Sequence, residues 1–228
     1  MTVFDTLLTR TWEALSGESL QALPDCAPRE LREKNCFLMD RDTACELGGH
    51  PKESVNLLLP CGKISEGGCF FIGDPELLKK EKHFSFGKIV LLETEGVSNE
   101  EAYDFVQEML KADFRLYFSG VMTRTSPSRS QVNLKVSRTA LEEGFDFAAM
   151  AAGIRGQFLR LPGVKDAKVI LIAGENGLYK KLLPIAEMQG EITRALNHIF
   201  DGIPMDCGNC ELQEVCDEVE DLRKLHKA

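Results

Sequence analysis

Three cysteines fall within the stretch DCGNCELQEVC, as Cys207, Cys210 and Cys216 with the spacing C-x2-C-x5-C. Two thiolates two residues apart grip one metal centre from a single turn of chain. Gly208 between them lets the backbone bend tightly because it has no Cβ. The helix-patterned stretch that follows would bring its N-terminal N–H groups towards the thiolates, and those dipoles favour negative charge. That environment suits a [4Fe-4S] cluster held by cysteines. Structural zinc fits the same spacing, and capping or core cysteines are the plainer alternative. A fourth ligand must come from elsewhere. Cys36, Cys45 and Cys69 sit in or beside apolar runs, where a cysteine is usually a small buried hydrophobe. Cys61 lies in LLLPCGKISEGG between Pro60 and Gly62 and reads as loop-borne. It is favoured as the fourth ligand over Cys26 in LPDCAP.

A second candidate is GVMTRTSPSRSQ, which carries Arg124 and Arg129 among hydroxyls at Thr123, Thr125, Ser126, Ser128 and Ser130. Guanidinium forks match phosphate oxygens, and loops on a rigid scaffold collect binding residues. The expectation is a weak anion site in a long polar loop, with ordinary solvated arginines as the alternative. The four histidines are scattered, with neither H-x3-H nor HExxH. There is no GxSxG, no phosphate-binding loop and no GxGxxG after a strand.

The background composition narrows these choices. The formal net charge of −9 argues against broad binding to nucleic acid, which needs a basic face. The first twenty residues have no apolar core, so no signal peptide is predicted. No run approaches the length of a membrane-spanning helix. Eight cysteines in a chain without an export signal therefore point to metal or redox chemistry in a reducing cytoplasm rather than to disulfides.

At 228 residues with 43% hydrophobic content, the chain can bury roughly 70% of its unfolded surface. Val3, Phe4, Leu7, Leu8, Trp12 and Leu15 recur at helical spacing and predict a helix over 3–15. Residues 16–36 read as loop with a short helical turn. CFLMD, SVNLLLP, CFFIG, FGKIVLLE, RLYFSG, VNLKVS and KVILIAG have strand length and texture. Ser98 and Glu101 form a capping box ahead of AYDFVQEMLK. Residues 139–160 predict a helix broken near Gly144. GLYKKLLPIAEMQGEITRALNHIF predicts a long helix interrupted at Pro184, and ELQEVCDEVEDLRKLHKA a charged C-terminal helix supported by Glu220 and Lys224. The alternation predicts an α/β (α+β) fold, one mixed sheet covered by helices with hairpin-like pairing early. Residues 1–200 would form this domain, and residues 201–228 a cluster-binding segment.

The stretches CELGGHPKES (45–54), FFIGDPELLKK (70–80), FGKIVLLETEGVSNEEAYDFVQEML (86–110), SRSQVNLKVSRTALEEGFDF (128–147) and KVILIAGENGLYKKLLPIAE (168–187) resemble the middle domain of acetyl-CoA synthase. That protein is the β subunit of the carbon monoxide dehydrogenase/acetyl-CoA synthase complex. DCGNCELQEVC falls where the family's cluster-binding cysteines begin. Cys207 and Cys210 match the opening CxxC, Cys216 arrives early, and the last ligand of that pattern is missing. No Cys-Gly-Cys occurs, so the resemblance implies a chain without the family's nickel-binding domain. Acetyl-CoA synthesis by this chain alone is not expected. The aromatic and arginine-bearing loop that the family uses for coenzyme A corresponds to 120–131, with Arg124 and Arg129 but no tryptophan. The resemblance implies an iron–sulfur protein of anaerobic one-carbon metabolism, an accessory or electron-transfer partner of corrinoid or acetyl-CoA synthase systems. The alternative is a non-redox module, zinc- or cluster-stapled, that docks a corrinoid protein or a CoA-like ligand. A subunit completing a split acetyl-CoA synthase is a third reading.

Overall fold

The longest apolar runs become the strands of one sheet. The computed structural model describes residues 2–94, 101–200, 210–219, 222 and 225. Its five-stranded sheet contains β1 (Gln21–Ala22), β3 (Ser54–Cys61), β4 (Gly68–Gly73), β6 (Phe86–Thr94) and β9 (Val164–Ala173), in the order β1-β4-β9-β6-β3. β4 runs parallel to β9 and β3 parallel to β6, while β6 and β9 are antiparallel. Such strands read as continuous apolar runs because both faces are covered. Successive residues point to opposite faces. Phe71 packs on Phe147 of α5 (Phe147–Phe158), with ring centroids 4.6 Å apart. On the other face, Phe70 and Lys168 lie with Trp12 of α1 (Asp5–Leu15), which packs along α6 (Leu178–Phe200).

A second sheet holds β2 (Thr43–Leu47), β5 (His83–Phe84), β7 (Val121–Ser126) and β8 (Gln131–Ser137), in the order β5-β2-β8-β7. Its inner face is apolar and buried: Cys45, Leu47, Val132, Leu134 and Val136. The outer face carries Glu46, Arg124, Asn133 and Lys135. Ser54 of β3 joins the two sheets. Its hydroxyl donates to the Val132 carbonyl at 2.5 Å and accepts from the Val132 N–H at 2.9 Å. α2 (Leu77–Lys80), α3 (Ala102–Phe114), α4 (Arg138–Glu142) and α7 (Gln213–Glu218) complete the helices of the described residues. The side chains of Ser137 and Asp146 cap α4 and α5, accepting from the N–H groups of Ala140 and Ala149 at 3.0 and 2.7 Å.

The α/β expectation holds in its coarse form, but the sheet is split in two. The reason is solvation. The second sheet keeps one face in water, so β7 (VMTRTS) shows apolar residues only at its start and reads as loop. The stretch 121–126 is strand and 127–129 a 3-10 turn, not a long polar loop. Pairing between sequence neighbours is late rather than early, because β7 and β8 form a hairpin while β9 separates β4 from β6. CFLMD is no strand: Phe37 is 80% exposed and Met39 47%. RLYFSG supplies the C-cap of α3 at Arg115 and an isolated bridge from Phe118 to Leu31. Between 16 and 36 there is β1 in place of a helical turn. α6 runs through Pro184 unbroken, since buried Leu182, Ile185, Ala186 and Met188 hold both flanks and offset the lost hydrogen bond. Ser98, Glu220 and Lys224 lie outside the described residues.

Candidate functional site

Cys210 and Cys216 sit on a segment clamped to the core. Leu212, Val215, Val219 and Leu222 are nearly fully buried, a helical stripe that joins the main hydrophobic cluster. α7 packs on α6, and Arg10 of α1 pairs with Glu218. Cys210 and Cys216 are half-buried against the same cluster. The Leu212 N–H donates to Cys210 Sγ at 3.4 Å. Cys207 lies outside the described residues.

Cys61 is placed differently from the sequence expectation. It is the last residue of β3, not part of a loop, and is 2% exposed. Its thiol donates to the Leu92 carbonyl at 3.4 Å. Burial, with the nearby Glu93 carboxylate, pushes it up to about 11. Cys45 and Cys69 are also raised by burial, to about 12 and about 11. Cys26 is exposed; burial and the charges of Asp146 and Asp25 raise its thiol. Among the described residues, no three His, Cys, Asp or Glu side chains form a metal-binding group, so Cys61 is not brought together with Cys210 and Cys216.

The two arginines sit on one hairpin at different levels. Arg124 is on β7 opposite Asn133, exposed on the outer face beside Lys135. Arg129 is in the turn at the hairpin's tip. Neither guanidinium makes a hydrogen bond or ion pair with a described residue. The turn itself is firmly held. Ser130 is fully buried and left-handed, with φ of 47°. Its hydroxyl accepts from Gln189 of α6 at 2.9 Å, and its carbonyl accepts from the Asn56 N–H at 2.7 Å. Gly190 of α6 lies so close that a Cβ there would come within 2.7 Å of the Ser128 carbonyl oxygen.

On the outer face of the second sheet, Asp40, Glu46, Lys82, His83, Lys135 and Arg138 line an open cavity of about 420 Å³. Lys135 bonds Asp40 at 2.9 Å, which raises the ammonium and holds the carboxyl below its usual range. Asn133 donates to Glu46 at 2.8 Å.

Two buried lysines escaped the sequence reading. Lys88 of β6 pairs with Asp113 of α3, at 3% and 1% exposure. Asn56 donates to the same carboxylate at 2.8 Å, and its own Oδ1 has no hydrogen-bond partner among the described residues. Lys168 lies 4.5 Å from the Phe70 ring centroid and 5.7 Å from that of Trp12, a cation–π arrangement. The available signal was a lysine inside each of two apolar strand runs, which requires a buried partner. Comparison of the chain with family models and with curated proteins finds no match.

Proposed function

We propose that this chain is an iron–sulfur protein that holds one [4Fe-4S] cluster through Cys207, Cys210 and Cys216, and that it works in the cytoplasm as an accessory or electron-transfer partner in anaerobic one-carbon metabolism. The observation that carries the reading is Cys210, whose sulfur accepts a backbone N–H from Leu212 on a segment anchored in the core. Such N–H···S contacts stabilise the charge on thiolate ligands and tune a cluster's potential. When bound, the cluster supplies one-electron chemistry. The resemblance to the acetyl-CoA synthase β subunit supplies the metabolic setting and the corrinoid or carbon monoxide dehydrogenase/acetyl-CoA synthase partner. Cys61, buried with its proton engaged, fits a structural thiol better than a thiolate ligand. The fourth position is then filled from outside this cysteine set.

Anaerobically purified protein is expected to be brown, with about four iron and four sulfide per chain. Cys207→Ser, Cys210→Ser and Cys216→Ser should each lose the metal, while Cys61→Ala keeps it. Colourless protein with one zinc would move the reading to the non-redox module. Full iron and sulfide in all three serine variants would end the proposal.

A further inference from the structure

α3 buries Val106, Met109, Ala112 and Asp113, keeps Gln107 and Leu110 half-buried, with Gln107 donating to Asn197 of α6 at 2.8 Å and Leu110 packed on the core, and exposes Lys111 and Phe114. Gln107, Leu110, Lys111 and Phe114 share one helical face. They form one wall of an open cleft of about 480 Å³. Arg115 and Tyr117, just past the end of the helix, together with Glu33 and Pro127, form the remainder.

Three features of this cleft point to a ligand. First, Phe114 is 54% exposed, a large ring left in water on an otherwise ordinary amphipathic helix. Its partner Tyr117 meets it edge-on, with centroids 6.2 Å apart and planes at 74°. That arrangement leaves an aromatic face open to a third ring. Second, among the described residues the Arg115 guanidinium and the Tyr117 hydroxyl make no hydrogen bond or ion pair, and Arg115 is exposed. Lys111 stands beside them, tied to Glu108 at 2.8 Å on the solvent side. Third, the walls are fixed. The Arg32 N–H bonds the Tyr117 carbonyl at 2.7 Å. The N–H groups of Arg115 and Leu116 bond the carbonyls of Lys111, Ala112 and Asp113 at 3.2–3.3 Å, which closes the last turn of α3 and fixes where Arg115 leaves the helix. Pro127 belongs to the turn that Ser130 and Gln189 hold in place.

We infer that this cleft binds a mononucleotide-sized ligand, a planar aromatic ring carrying a phosphate, with the ring on Phe114 and Tyr117 and the phosphate on Arg115 and Lys111. Glu33 is the one carboxylate on the lining among the described residues and opposes the phosphate. The site is independent of the cluster reading, because its described lining includes neither Cys210, Cys216 nor Arg124.

The test is calorimetric titration of the full chain with adenosine 5′-monophosphate at low ionic strength, against adenosine (ring without phosphate) and ribose 5-phosphate (phosphate without ring). Each fragment should bind at least about tenfold more weakly than the nucleotide. Phe114→Ala should weaken nucleotide binding about tenfold through lost stacking. Arg115→Ala should weaken it by a similar factor and flatten its salt dependence. Glu33→Gln should strengthen it. All three positions are exposed or on the rim, so the variants fold, which circular dichroism checks. Cys210→Ser should bind the nucleotide as the parent does, which separates this site from the metal reading. No heat with adenosine monophosphate, or an affinity unchanged in both Phe114→Ala and Arg115→Ala, overturns the inference.

Discussion

The Lys88 ammonium on β6 meets the Asp113 carboxylate on α3 where neither side chain reaches solvent. The pair ties the five-stranded sheet to the helix that carries the aromatic cleft. Removing one partner strands the other as a buried charge, so Lys88→Met alone should cost about 3–5 kcal/mol. Lys88→Met/Asp113→Leu should recover most of that, since an apolar pair of similar volume is often tolerated. Recovery stays incomplete because Asn56 loses its acceptor. Urea midpoints at constant slope measure both. Strictly additive losses would show that the two charges are not coupled.

Alkaline stability follows from the buried thiols. Burial raises Cys61 to about 11 and Cys45 to about 12 from the ordinary 9.0. In the unfolded chain these thiols ionise near 9, so between pH 9 and about 11 the unfolded state has lost protons that the folded state keeps. Stability contributed below pH 9 is therefore lost as the pH rises through that window. Tyr179, raised by burial and donating to the Ile172 carbonyl, acts in the same direction above pH 10. Cys45→Ala and Cys61→Ala should each flatten the fall in thermal midpoint between pH 8.5 and 11 without altering its value trend below pH 8. An unchanged slope in both variants would mean these thiols titrate normally.

Gly190 and Gly156 are both helical glycines with opposite expectations. A Cβ at Gly190 meets the Ser128 carbonyl at 2.7 Å, backbone that cannot rotate away, whereas Gly156 has nothing within 4 Å. Gly190→Ala should force the hairpin turn off α6 and destabilise by about 1–3 kcal/mol. Gly156→Ala should stabilise by up to about 1 kcal/mol through helix propensity. Scanning calorimetry on the two variants gives the contrast, and equal shifts of the same sign would refute it.

The elements legible in the sequence are those whose pattern has a single solvent environment. β3, β6 and β9 are covered on both faces and announce themselves as apolar runs. α1 and α6 carry clean amphipathic stripes. β2, β5 and β7 have one wet face and little length, so TACEL and VMTRTS gave no strand signal, and Arg124 was assigned to a loop. CFLMD misleads in the opposite sense, since Phe37 and Met39 are exposed. The cysteine spacing was legible, but the burial of Cys61 was not. Pro60 and Gly62 suggest a turn locally, and only the pairing of β3 with β6 through Pro60–Leu92 and Cys61–Glu93 extends the strand past them. The cleft was illegible for a related reason. Phe114 follows Asp113 at the end of an amphipathic helix, and only the tertiary fold decides which of the two is buried.

Asn35 closes the exposed edge of the second sheet. β7 is the last strand of that sheet, and the Asn35 side chain takes the place of a further strand at Thr123. Its Nδ2 donates to the Thr123 carbonyl at 2.5 Å and its Oδ1 accepts from the Thr123 N–H at 3.0 Å. Unpaired edge groups invite pairing with another chain, so a side chain that satisfies both groups of one residue protects the edge where Arg124 begins. Asn35→Ala should cost about 1 kcal/mol of stability and expose the Thr123 amide, whose hydrogen exchange should accelerate about tenfold. Amides on the covered strand β8, such as that of Leu134, should exchange as before, which separates a local opening from general destabilisation. Asn35→Asp keeps the acceptor but turns the donor into a carboxylate oxygen facing the Thr123 carbonyl. It should therefore destabilise at least as much as alanine at pH 7; the facing carbonyl raises the carboxyl above its ordinary value near 4, so the loss should be relieved as the pH falls towards 4. Protection at Thr123 that survives both substitutions would show that the edge is closed by something other than Asn35.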